Sequence, residues 1–351
     1  MFLAWKEIKH AKGKFSLIIS VVVLVGYLVY FLTSLAYGLA SSYTNGVNAW
    51  NADNIVLTSD SNDNIMMSVM TDEQNNDVTA TEKARLGLFP AVISDPSAAV
   101  VDDTKEEIYA FGIDNGSFIA PNVTLNDGEV FADASLQDLG YQVGTIIRVA
   151  GTDIDWTIVG FAEKITYQTA PILYMTIATW MDYRFNRATI PLDLFSAVVT
   201  RGETTTSNAA LKINTIQDFI GNLPGYSAQV LTFSIMIGFL IFIIAFVLGI
   251  FIFVLTIQKT SMFGVMKAQG ISNAYIGGSV VMQTLIITGI GVLGGLLLTL
   301  ISGYFLAGIV PFAINPLFYV VITAAFFVFS AFGGLFSVRA VLKIDPRIAI
   351  G

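Results

Sequence analysis

The chain holds one histidine, His10, and no cysteine. Zinc hydrolysis and Ser-His-Asp catalysis both lack their residues here. No G-x-x-x-x-G-K-[ST] segment occurs, so the chain carries no P-loop of its own. The residues able to do something specific are of another kind. Residues 255–276 read "LTIQKTSMFGVMKAQGISNAYI", with Lys259 and Lys267 and no acid. That pattern predicts a short basic helix ended by Gly270, a compact knob rather than a catalytic loop. Tyrosines crowd one apolar run at Tyr27, Tyr30 and Tyr37, with Tyr43 just after it. Tyr37 and Tyr43 fit an interfacial aromatic belt, with Tyr27 and Tyr30 deeper.

The elements that must position these residues are membrane spans. The chain is 54% hydrophobic and 13% charged, about half the charge usual in a soluble domain. Residues 15–40, 230–257, 276–310 and 316–338 contain no charged side chain. Each exceeds the ~20 residues that cross a bilayer as helix. The first is too long for the ~7–15-residue core of a cleaved signal sequence. Its 26 residues make about 39 Å of helix, longer than the hydrocarbon core, so it tilts or projects. Charge sets the expected orientation. Lys6, Lys9, Lys12, Lys14, Lys259, Lys267, Arg339, Lys343 and Arg347 lie outside residues 41–229, against two acids, Glu7 and Asp345. These nine are half of the 18 basic residues, whereas 24 of the 26 acids fall within 41–229. The positive-inside rule therefore expects cytoplasmic termini and an extracytoplasmic acidic segment in a multi-pass cell-membrane protein. Nothing in this balance points to nucleic acid.

The expected organisation follows. Residues 1–13 form a cytoplasmic amphipathic helix, with Met1, Ala4, Trp5, Ile8 and Ala11 on its apolar face. Spans cover 14–41, 230–257, 276–310 and 316–338. Residues 42–229 form the extracytoplasmic domain, 258–275 the cytoplasmic loop and 339–351 the cytoplasmic tail. The fold class is thus a membrane protein of four transmembrane α-helices with a large α+β domain inserted between the first and second spans. Within that domain, 51–76 is rich in Asn, Asp and Ser and reads as a loop or weak strands. Residues 146–149, 156–161 and 171–175 read as strands, and "TIQDFIGNLPGY" as a helix returning to the membrane. Gly291 and Gly295 stand in GxxxG spacing, which permits close helix contact and also fits ordinary glycine frequency in membrane helices.

No Asp, Glu, Lys, Arg or His lies inside the runs 15–40, 230–257, 276–310 and 316–338. Ion-coupled carriers place such groups at mid-membrane, so work done by this chain must draw energy from a partner. The order of elements resembles the permease subunits of FtsX/MacB-like ABC transporters. Gly264, Val265, Lys267, Ala268 and Gly270 match that family's segment between the second and third spans. "VRAVLKIDPRIAIG" is similar to its tail, with Asp345 and Pro346 matching. The resemblance implies that the loop is a coupling helix docked on a separate cytoplasmic ABC ATPase, which binds the ATP. The chain itself is then not an enzyme and has no intrinsic cofactor or metal.

"FLAWKEIKHAKGKFSLIISVVVLVGYLVYFLTSLAYGLA" resembles the opening of the haem-exporting HrtB group within this class; glycolipid-exporter permeases begin similarly. The implied assembly is a homodimer with two ATPase subunits that expels haem from the membrane by a lever-like motion. Haem iron accepts His, Cys, Met or Tyr. With cysteine absent and His10 on the cytoplasmic side, the candidates are Tyr27, Tyr30, Tyr37, Tyr167, Tyr174 and Met236, with Gly238 lining the slot. Each of them equally fits a belt or packing role. A non-transporting regulator of a cell-wall hydrolase, or an exporter of lipoprotein, glycolipid or macrolide, also fits this architecture.

Overall fold

The computed structural model describes residues 12–163, 165–185, 193–306 and 309–342. Residues 1–11 of the expected amphipathic helix, and Asp345 and Pro346 of the tail, lie outside them. The chain divides into two compact units: residues 1–38 with 230–351, and residues 39–229. The first helix, α1 (Lys12–Asn48), is continuous over 37 residues. It contains no proline and, beyond Lys14, no charge, so nothing interrupts its hydrogen-bond ladder. It runs past the expected end of the first span, and residues 39–48 fold with the second unit.

That unit is built on one sheet of ten strands. They are β1 (Asn54–Thr58), β2 (Glu82–Ser94), β3 (Glu106–Ile113), β4 (Glu129–Asp133), β5 (Ile146–Val149), β6 (Asp155–Ala162), β7 (Thr166–Tyr167), β8 (Ala170–Thr176), β9 (Ala197–Arg201) and β10 (Leu211–Thr215). The order is β10-β1-β9-β2-β3-β8-β4-β6-β5, with β7 paired to β8. The far end then turns back. β5 pairs with β2, Ile93 opposite Val149 and Ser94 opposite Arg148. Six strands, β2 to β5 with β6 and β8, thus close into a ring with no free edge. Ile93, Ala110, Val130, Ile147, Trp156, Ile158 and Met175 belong to one buried core. Helix α2 (Ile177–Phe185) contributes Trp180 to it. Gly87 and Gly112 make room for that ring, since a Cβ at either would lie 2.4 or 2.6 Å from Trp180 atoms.

The three strand segments expected at 146–149, 156–161 and 171–175 coincide with β5, β6 and β8. In the 51–76 region the strand alternative holds at β1. Ile55, Val56 and Leu57 are fully buried on β1, which lies between β9 and β10. Three consecutive apolar residues buried on both faces give no alternation, and the polar flanks hide the strand. Helix α3 (Ile216–Gly221), N-capped by the Thr215 hydroxyl, follows β10.

The other unit holds residues 230–258 of α4 (Tyr226–Gln258), α5 (Thr260–Ala268), α6 (Asn273–Leu306) and α7 (Pro316–Leu342) with residues 12–38 of α1. α1, α4, α6 and α7 are each long and apolar enough to cross a membrane. With hydrocarbon on both sides of the comparison, packing between spans relies on close approach and hydrogen bonds rather than on water exclusion. Both devices are present. Gly26, Gly291 and Gly295 bring α1 and α6 to backbone contact, and Gly249 meets Gly333 between α4 and α7. Hydroxyls also bridge helices: Thr288 donates to Ser330 Oγ at 2.8 Å between α6 and α7.

Candidate functional site

Two groups of residues merit description, one on the spans and one on α5. On α1, the i, i+3 spacing of Tyr27 and Tyr30 turns them toward different neighbours. The Tyr27 hydroxyl lies 3.1 Å from Ser302 Oγ of α6. That of Tyr30 lies 2.6 Å from Thr323 Oγ1 of α7, and its ring meets Tyr319 edge-on at 5.1 Å. One turn further, Ser34 Oγ sits 2.6 Å from the Tyr319 hydroxyl. Tyr37 meets Phe318 edge-on at 5.5 Å. Tyr30 is fully buried, while Tyr27 and Tyr37 are half-buried. The structure therefore gathers Tyr30 and Tyr37 against α7 and sets Tyr27 against α6.

Met236 belongs elsewhere. It is exposed on α4 beside Ile235 and Phe239, whereas Ile237, Leu240 and Ile241 pack inward. Gly238 has no atom within 4 Å of a Cβ placed on it, so the space there is open. Tyr167 and Tyr174 are in the core of the sheet domain. Tyr167 packs edge-on to Tyr109 at 4.8 Å, and Tyr167 and Tyr174 each meet Phe111 edge-on. Burial pushes the Tyr174 phenol up to about 12, and it pushes Tyr167 up further. Neither phenol is offered to a surface in this conformation.

α5 carries the second group. It spans nine residues, and its end follows the rule for a helix closed by glycine. The Gly270 N–H donates to the Lys267 carbonyl and the Ile271 N–H to the Met266 carbonyl, each at 3.0 Å. Gly270 has φ +83°, the left-handed conformation this turn requires. Met266 and Ile271, the apolar pair that accompanies such an end, pack against the bundle core. Phe263 and Gly264 are buried, which fixes the helix's inner face. Val265 (43% exposed) and Met262 (39%) face out, with Ala268 exposed beyond them. Lys267 is half-buried. Met262 escaped the motif reading, although its i, i+3 spacing to Val265 and Ala268 makes one exposed apolar stripe.

Residues 234–346 match the family described as FtsX-like permease C-terminal. The three closely spaced helices with α5 between the first two thus lie in a segment similar to an FtsX-like permease domain. Over its whole length, the chain is homologous to proteins named hemin transport system permease protein HrtB. It is 24% identical to that of Staphylococcus haemolyticus over 356 residues, covering 100% of this chain and 99% of the relative. It is 25% identical to that of Staphylococcus epidermidis over 358 residues, with the same coverage. The solved extracellular domain of the noncanonic ABC-type transporter YknZ from Gram-positive bacteria aligns with 45% of this chain and 84% of its own, at 12% identity. Its TM-score of 0.28 is too slight a likeness to define the fold.

Proposed function

We propose that the chain is the permease subunit of an ATP-driven efflux pump that takes haem from the bilayer and expels it. The observation that carries this reading is the similarity to hemin transport permeases over 100% of this chain and 99% of theirs. ATP is bound and hydrolysed by a separate cytoplasmic subunit, which docks on α5 through Met262, Val265, Ala268 and Lys267. Gly264 seats the helix and Gly270 ends it. Two copies of the chain pair in the membrane. The termini and α5 face the cytoplasm and the sheet domain faces outward, as the charge split requires. Closure on the inside draws the spans together and ejects the cargo.

A planar amphiphile concentrates in the bilayer and is captured from the side, so no polar tunnel is needed. The open space at Gly238 and the exposed thioether of Met236 support α4 as one wall of the slot. Tyr27 and Tyr37 are proposed for the facing wall. Tyr30, sealed against Thr323 and Tyr319, supports that wall from behind. The test is reconstitution of the chain with its ATPase in liposomes loaded with haem. A Soret band on the purified complex and ATP-dependent release of haem are expected. A complex that hydrolyses ATP, binds no haem and instead activates a cell-wall hydrolase overturns the proposal.

A further inference from the structure

α6 opens on small residues, with Ala274, Gly277, Gly278 and Ser279 in its first two turns. The last described turns of α7 run antiparallel beside them. Two glycines press the helices together here. A Cβ on Gly277 would lie 2.8 Å from Val338 Cγ1, and one on Gly334 would lie 3.1 Å from Thr284 Oγ1. Beside that line of contact the helices part. Val281, Met282 and Leu285 of α6 and Leu335 and Val338 of α7 line a groove of about 490 Å³. Sites that hold a small molecule measure ~300–1,000 Å³. Gly278, which also lines the groove, keeps it open, since a Cβ there would meet nothing within 4 Å.

The lining says what can fill this space. Among the described residues, Asn273 is its one polar side chain. Residues 273–306 and 316–338 contain no charged residue. α6 and α7 are each apolar enough to cross a membrane, and Leu335 and Gly278 are exposed, so the groove opens toward hydrocarbon. Left empty, its walls would lose the dispersion contacts that a filled space supplies. A flexible alkyl chain fits such walls, and the unbranched thioether of Met282 adapts to one. The length agrees as well. From Asn273 to Leu285 the helix rises about 18 Å, against about 15 Å for half of a 30 Å hydrocarbon core.

The two ends of the groove differ. Leu285 lies three turns into α6, whereas Asn273 is its first residue. The segment that leads into Asn273, residues 258–275, carries Lys259 and Lys267 and no acid. A basic segment at the end of a span favours an anionic lipid headgroup. We propose that this groove holds one acyl chain of an anionic phospholipid, with the headgroup at Asn273 in the leaflet that α5 borders. The site is separate from the proposed haem slot, whose residues Met236 and Gly238 are on α4. It rests on reading α6 and α7 as spans and not on the identity of the cargo.

The test is native mass spectrometry of the full-length chain, released from bilayers of phosphatidylglycerol and phosphatidylcholine into mild detergent. No haem is present in this assay. One phosphatidylglycerol is expected to stay on each chain, in preference to phosphatidylcholine. Gly278→Leu places a side chain in the groove and should lower that retention by about tenfold, the scale of overpacking a filled site. Leu293→Phe adds bulk to an exposed position of α6 outside the groove and should retain the lipid. Thermal unfolding of both variants shows that each is folded. No phospholipid on the unaltered chain, or equal retention in all three proteins, overturns the inference. Equal retention of the two lipids overturns the anionic headgroup. In a separate titration, haem lost from Gly278→Leu and kept by Leu293→Phe would give the groove to the cargo and overturn the lipid assignment. Failure to bind haem anywhere removes the pump reading alone and leaves the retained lipid as measured.

Discussion

Gly295 and Tyr27 meet backbone to backbone: a Cβ on Gly295 would lie 2.6 Å from the Tyr27 nitrogen. The crossing of α1 and α6 therefore admits no side chain at that glycine. The Gly295→Val variant is expected to lose stability by about 1–3 kcal/mol, the usual cost of overpacking. Gly278, with open space around it, is the comparison, and Gly278→Ala should leave the thermal midpoint in detergent unchanged. Equal midpoints for both variants would show that the helices separate freely at this level.

α5 offers a second test. Gly270→Ala forces an L side chain into a left-handed turn, at about 1–2 kcal/mol. It should weaken co-purification with the ATPase by loosening the helix end. Lys267→Glu reverses the charge on the knob and should abolish co-purification while the sheet domain stays folded. Normal capture and export by Lys267→Glu would make residues 261–274 a mere connector.

The proposed haem slot can be tested on α4. Gly238→Phe fills the open space and should weaken haem binding, and Met236→Leu should alter the Soret band if sulfur touches iron. Tyr30→Phe removes a hydroxyl shared with Thr323, not one offered to cargo, so its spectrum should match that of the unaltered protein. An unchanged spectrum and affinity across Tyr27, Tyr37, Met236 and Gly238 variants places the site elsewhere.

Alkaline pH probes the sheet core. Burial raises the native phenol of Tyr174 to about 12, whereas an unfolded tyrosine ionises near about 10. Its contribution is fully present below about pH 10 and is lost as pH rises through about 12. The unfolding midpoint should fall across that window, and Tyr174→Phe should shallow the fall. Haem affinity should be indifferent to this variant. A phenolate titration with every tyrosine ionising near its ordinary value would contradict the packing.

Arg184, half-buried on α2, packs among aromatic rings. Its guanidinium lies over Phe89, Phe185 and Trp180 at 4.6, 4.9 and 5.3 Å, and donates to the Met66 carbonyl at 2.8 Å. Burial pushes its pKa down. Arg184→Met should cost about 2–3 kcal/mol, since it loses the stacking and leaves carbonyl oxygens unbonded. Arg184→Lys keeps a cation but not the plane, so it should recover only part of the loss in a thermal-unfolding measurement.

What could be read beforehand divides along physical lines. The spans declared themselves because an uncharged run of that length has few other uses, and β5, β6 and β8 because Gly and Asp turns bracket them. α5 was visible through Gly270, whose left-handed turn is a local event. β1 was hidden: Ile55–Leu57 lacks the alternation that marks a half-buried strand. Tyr167 and Tyr174 looked like membrane-interface residues by type, yet they pack on Phe111, whose place on β3 depends on pairings far apart in the chain. Ring closure, Ile93 against Val149, depends likewise on register, which no local pattern encodes. The distribution of the α1 tyrosines between α6 and α7 needed the helix crossing at Gly295.

α4 is apolar on every side. Leu231, Ile235, Phe239, Phe242, Phe246, Ile250 and Phe253 are all exposed, and Tyr226–Gln258 contains no charged residue. Such a helix has no face that hydrocarbon prefers. Turning it about its own axis swaps one greasy side chain for another and drags no charge through lipid. Rotation therefore meets resistance only where neighbours engage it, at the Gly249–Gly333 contact and along Ile237, Leu240, Ile241, Ile252 and Leu255. The bundle's packing alone sets the angle of this shaft, and the surrounding lipid sets no preference among its angular positions.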